Sequence, residues 1–160
     1  MIYPHTILAA TRVLSPDEYC EILERYDVLN AGVRDTNKAA LFAVLADAVI
    51  TQVTVWFDGG GDSGQIESVE AKSGDIAVDL PDATVQVRVA EFGRSEIVVR
   101  DMPVPELIEQ LCYDYLSATH GGWENNDGAY GEFVFAVAVG TIRLEHNERY
   151  TASETYNHQF

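Results

Sequence analysis

The chain has 160 residues, of which 26 are acidic and 10 basic, giving a formal charge of −16 at neutral pH. That balance leaves little basis for direct binding to nucleic acid, where Lys and Arg must neutralise phosphate, and the same field repels anionic lipid. Apolar types make up 47% of the residues, a globular composition, and no apolar run reaches the roughly 18 residues that cross a bilayer.

Met1-Ile2-Tyr3-Pro4-His5 lacks the basic start of a secretory signal, so a cytoplasmic location is expected. The length suits one acidic domain over 1–160, with 1–14 as an N-terminal arm or strand and 151–160 as a polar tail. Cys20 and Cys112 are the only cysteines; each lies in an apolar helical pattern, and buried free thiols are expected.

In chain order, Ser15-Pro16-Asp17-Glu18 reads as a capping box opening a helix over 15–30. Its spacing directs Tyr19, Ile22, Leu23 and Tyr26 to the core, and Ala31-Gly32 reads as its end. A second helix over 36–50, capped by Asp35 or Thr36, carries Leu41, Phe42 and Leu45. Thr51 to Phe57 turns β-branched and aromatic, with Val53, Val55 and Phe57 alternating onto one face of a strand.

Asp58-Gly59-Gly60-Gly61-Asp62-Ser63-Gly64 interrupts that strand, and Ile66 and Val69 beyond it are out of phase, which predicts a bulge or an irregular strand. Ile76 to Leu80, Val85 to Val89 and Ile97 to Val99 alternate as further strands, with a turn around Gly93. A third helix spans 103–119, with Val104, Leu107, Ile108, Leu111, Cys112, Tyr115 and Leu116 as its apolar stripe, and ends at His120-Gly121-Gly122. Last comes a hairpin, in which Gly140-Thr141 fits a two-residue turn pairing Val139 with Ile142, Val137 with Leu144 and Phe135 with His146. The fold class predicted is α+β: a mostly antiparallel sheet with about three helices packed on it.

Several segments could carry chemistry. Gly61-Asp62-Ser63-Gly64 spells a motif of trypsin-like serine proteases, but no histidine of the four stands in a protease context, so nucleophilic catalysis is set aside. Asp58, Asp62, Glu124 and Asp127 offer oxygen ligands that Ca2+ or Mg2+ would accept. The spacing of the two aspartates does not follow the EF-hand order, and Asp, Asn and Gly serve equally as turn residues. Trp123 stands beside Glu124, Asn125, Asn126 and Asp127, either covering the end of the third helix or anchoring an interface. Glu145, His146 and Glu148 form a polar strand end, where His146 and Glu148 continue the face of Ile142 and Leu144. Arg149, on the other face, is expected in an ordinary ion pair.

Three segments together resemble a known family. They are Asn37-Lys38…Leu41-Phe42 leading into Val55 to Glu67, then His120 to Gly131, then Leu144 to Tyr150. In this order they resemble an uncharacterised bacterial family, a domain of unknown function found in proteobacteria and on plasmids and phage-like elements. The likeness covers most of 36–155. It implies no activity, cofactor or catalytic residue, only a mobile-element setting in which small acidic proteins obstruct nucleic-acid machinery.

The function expected is a non-enzymatic acidic protein that engages a basic protein or ribonucleoprotein surface, such as an inhibitor of a nucleic-acid-binding or defence complex. Its binding residues are taken from Asp58, Asp62, Ser63, Gln65, Glu67, Trp123, Glu124, Asn125, Asn126, Asp127, Glu145 and His146. No cofactor is required. The alternative is a divalent-metal-dependent hydrolase built from the two Gly/Asp loops.

Overall fold

Where the sequence suggests two helices, the computed structural model has one, α1, over Pro16–Asp47. Its described residues are 13–61, 63–91 and 96–160. Residues 1–12 of the expected 1–14 arm, Asp62 and the turn around Gly93 lie outside them. Ser15 does cap the helix, accepting a hydrogen bond from the Glu18 N–H at 3.2 Å. Gly32 does not stop it: a helical Gly costs only about 1 kcal/mol relative to Ala, and no proline follows. Thr36 donates its hydroxyl back to the Gly32 carbonyl at 3.2 Å instead of opening a new helix.

The chain divides into two compact units, 1–37 with 87–100, and 38–86 with 101–160. In the first, Tyr19 and Leu23 are exposed, not in the core as their spacing suggests, and Cys20 is an exposed thiol. A helix shows an apolar stripe whether or not anything covers it. What is buried there is Val33, Val87 and Ala90. Asn37, 8% exposed, uses its amide like a neighbouring strand: Nδ2 donates to the Arg88 carbonyl at 2.8 Å and Oδ1 accepts from the Arg88 N–H at 2.9 Å.

The second unit is built on a five-stranded antiparallel sheet of order β3-β2-β1-β6-β7. These strands are β1 (Gln52–Gly60), β2 (Ser63–Ser73), β3 (Ile76–Val78), β6 (Ala129–Ala136) and β7 (Thr141–Glu148). A separate two-stranded sheet joins β4 (Thr84–Ala90) to β5 (Ile97–Pro103). Helix α2 (Val104–Thr119) follows β5 and buries Val104, Leu107, Ile108, Leu111, Cys112 and Leu116 of its predicted stripe, with Tyr115 half-buried. Burial raises the Cys112 thiol pKa well above its ordinary value, with Glu109 adding to the effect, so it stays a neutral core group. The α+β class therefore stands, with two helices among the described residues.

One sheet face is apolar. Val53, Val55, Phe57, Phe133 and Phe135 lie on it together with Leu41, Phe42 and Leu45 of α1 in the buried set, and Phe42 meets Phe135 edge-on at 6.2 Å. The predicted bulge is present: Trp56 pairs with Ser68 but Phe57 with Ile66, leaving Glu67 extra. The Gly-rich segment does not interrupt the strand; β1 and β2 remain paired through Gly59↔Gly64 and Gly60↔Ser63, so it is a hairpin tip.

The last hairpin differs from its expected register. The final pair is Ala136↔Thr141, and Phe135 faces Ile142, Phe133 faces Leu144 and Gly131 faces His146. Gly140 closes a four-residue loop at φ 75°, its N–H donating to the Ala136 carbonyl at 2.9 Å. A four-residue loop needs its left-handed position last, and the only glycine available fixes that place. The register moves by an even number of residues, so each side chain keeps its face although its partner changes.

Asn37→Ala leaves the Arg88 N–H and carbonyl without their partner. It is expected to lower stability by about 2 kcal/mol in urea titration; an unchanged midpoint would show that water replaces the amide.

Candidate functional site

The hairpin tip of β1 and β2 and the loop after α2 come together. The Gly61 N–H donates to the Asn126 carbonyl at 3.2 Å, and the Arg149 N–H to the Gly128 carbonyl at 2.9 Å. Asn126 and Gly128 sit at φ 57° and 79°, the left-handed conformation that the Asn-Asp-Gly turn supplies.

Trp123 lies flat against the hairpin. A Cβ on Gly59 would stand 2.6 Å from its Cζ3 and one on Gly64 2.7 Å from the same atom, so both glycines make room for the indole. The Trp123 ring also meets Phe57 edge-on at 5.4 Å. Trp123 is half-buried in this packing, and it covers the hairpin tip beyond the end of the third predicted helix.

The loop carboxylates are largely engaged. Asp58 receives two hydrogen bonds from Arg149, at 2.9 and 3.2 Å, while Arg149 also donates to the Gly59 carbonyl at 3.1 Å and lies 4.6 Å over the Tyr130 ring. The hydrogen bond to Asp58 raises the pKa of the guanidinium. Thr151 donates to Asp127 at 2.7 Å, and Gln65 donates to Glu67 at 3.3 Å. Ser63, Asn125 and Asn126 are exposed and Glu124 is half-buried. Glu145 is exposed, opposite Glu132 on the outer face of the sheet, away from these loops.

The titratable groups that do converge are others. His120, the C-terminal cap of α2, stacks on His146 of β7, with ring centroids 3.7 Å apart and planes 8° from parallel. Glu148 Oε1 lies 3.7 Å from both His120 Nδ1 and His146 Nε2, too far for a hydrogen bond. His146 stacks on Phe57 on its other side, at 5.8 Å. Its side chain is 6% exposed, and neither ring nitrogen has a hydrogen-bond partner. Gly131 stands opposite His146 in the sheet.

Burial holds the His146 imidazole below its ordinary pKa near 6.5; the adjacent His120 lowers it further, and Glu148 acts in the opposite sense. Sequence reasoning singled out His146 and paired it with Glu148, but missed His120. The signal available was a histidine at the end of an amphipathic helix, immediately before the Gly-Gly that turns the chain back towards the sheet.

Compared with known proteins, residues 33–160 match the model described as a family of unknown function, DUF6878. No curated protein and no solved structure matches the chain.

Two measurements test this geometry. Gly59→Ala pushes a methyl group into Trp123 and is expected to cost about 1–3 kcal/mol; in a Trp56→Phe background, Trp123 emission should shift to the red, and an unshifted spectrum would contradict the packing. The lowered His146 pKa means that the unfolded state binds the extra proton first. Measured in chelator, stability should be complete above pH 6.5 and fall as pH drops below that ordinary value. His146→Phe should flatten the dependence over that range, and an equally steep curve in the variant would assign it elsewhere.

Proposed function

Since the chain belongs to a family of unknown function, DUF6878, we propose its role from its own residues: a non-enzymatic binding protein that presents an acidic surface to a basic protein partner. The observation that carries this reading is the charge on and after α2. From 101 to 142 the chain has Asp101, Glu106, Glu109, Asp114, Glu124, Asp127 and Glu132, and neither Lys nor Arg. Glu106 and Glu109 project from the exposed side of α2, opposite its buried stripe. The element has no base of its own to neutralise them.

Burial supports the same reading. Among the described residues no Asp or Glu is buried, so each reaches solvent at least in part. Such a surface fits a basic groove of the kind that otherwise holds nucleic acid, which makes inhibition of a nucleic-acid-binding or defence complex the form this function takes. No described helix is long and apolar enough to cross a membrane. The rival reading, a hydrolase with a metal held by the two Gly/Asp loops, loses ground because Arg149 occupies Asp58 and Thr151 occupies Asp127.

The test is capture of basic proteins from lysate across a salt series, with a Glu106→Gln/Glu109→Gln double variant alongside. Retention should fall steeply as salt rises, and the double variant should bind about tenfold more weakly at low ionic strength. Captured proteins without basic character, or retention that ignores both salt and the variant, would sink the electrostatic reading.

A further inference from the structure

We propose that His120, His146 and Glu148 form a binding site for one divalent transition-metal ion of the zinc class. Three features of the cluster point to this. The first is the pair of His146 nitrogens, which are buried and without hydrogen-bond partners. Buried polar atoms are ordinarily satisfied, and Nε2 is directed at the same Glu148 oxygen that His120 Nδ1 approaches.

The second is spacing. Ligand atoms of the three residues lie within 4.8 Å of one another, with Glu148 Oε1 3.7 Å from each imidazole nitrogen. Around a tetrahedral ion with bonds of about 2.1 Å, donor atoms stand about 3.4 Å apart. The two edges that meet at Glu148 are therefore close to ligating size, while being too wide for direct hydrogen bonding.

The third is donor chemistry. Two imidazoles and one carboxylate suit zinc and its neighbours, whereas Ca2+ and Mg2+ prefer oxygen throughout. The rings lie parallel, so closing on an ion requires the His120 ring to turn. That side chain is 36% exposed at the end of α2 and has the room. His146 and Glu148 need no rearrangement in sequence terms: two apart on β7, they project from one face.

Three protein donors leave a fourth position. His120 and Glu148 line a cavity of about 350 Å³, with Trp123, Asn125 and Tyr150. Arg149 also lines it, but its charge is already met by Asp58. The remaining coordination position thus opens onto a space that water or a small anionic group can enter.

The experiment uses the untagged full chain, stripped with chelator and titrated with Zn2+, Co2+, Ca2+ and Mg2+. Calorimetry should give one Zn2+ per chain with Kd about 1 μM or tighter, and Co2+ should develop visible absorption bands of a low-coordinate nitrogen and oxygen site. Glu148→Gln and His120→Ala, both at exposed or half-exposed positions, should each weaken Zn2+ binding at least about tenfold while leaving the circular dichroism spectrum unchanged. Glu124→Gln should bind as the parent does. Absence of stoichiometric Zn2+ and Co2+ binding would overturn the proposal, as would affinity indifferent to both ligand variants or Ca2+ binding as tight as Zn2+.

Discussion

The seating of Trp123 on two glycines holds this end of the second unit together. The indole touches the positions where Gly59 and Gly64 would carry a Cβ, and Gly59 and Gly64 are themselves a cross-strand pair. One aromatic ring thereby fastens the loop after α2 to the tip of the β1–β2 hairpin. The Gly61 to Asn126 hydrogen bond adds direction, but a single partly exposed hydrogen bond contributes only about 1 kcal/mol. Burial of a ring of this size is the larger contribution. The glycines are required here because the indole occupies their side-chain space.

From that contact follows a continuous run of rings. Trp123 meets Phe57, Phe57 stacks with His146, and His146 stacks with His120. Two imidazoles thus occupy the end of an aromatic row that passes through Phe57 of the hydrophobic core. The cost falls on His146, whose nitrogens have left water without gaining hydrogen bonds. Arg149 shows the opposite solution three residues further along the chain: its guanidinium finds Asp58, a backbone carbonyl and the Tyr130 face together. Among the described residues, the two ring nitrogens of His146 are the buried side-chain polar atoms left without a hydrogen-bond partner, which sets that residue apart from Arg149.

Local chemistry made much of the fold readable and stopped where partners lie far apart in sequence. The Ser15 cap, the stripe of α2, the alternation of β1 and the bulge near Ile66 all express forces acting over a few residues. The break at Gly32 failed because a Gly lowers helix propensity without forbidding the helix. Gly140 reads as a turn residue from the sequence, yet Gly fits the left-handed place in several loop lengths, and only the completed sheet selects one. Asp58 with Arg149 lies 91 positions apart, a separation at which no spacing rule operates. His120 with His146 was hidden for the same reason.

The acidic composition and the histidine cluster obey different constraints, which is why one was visible in the sequence and the other was not. Net charge is a sum; it survives any arrangement of the chain, and folding decides only which face displays it. The cluster is a coincidence of three positions, and it exists only because a helix end and a strand end are brought to one place. An even shift in the β6–β7 register left His146 on the core face, whereas a shift of one residue would have turned it to the outer face with Glu132. Face assignment, set by the alternation of Phe133 and Phe135 with polar neighbours, therefore matters more to this site than the identity of any cross-strand partner.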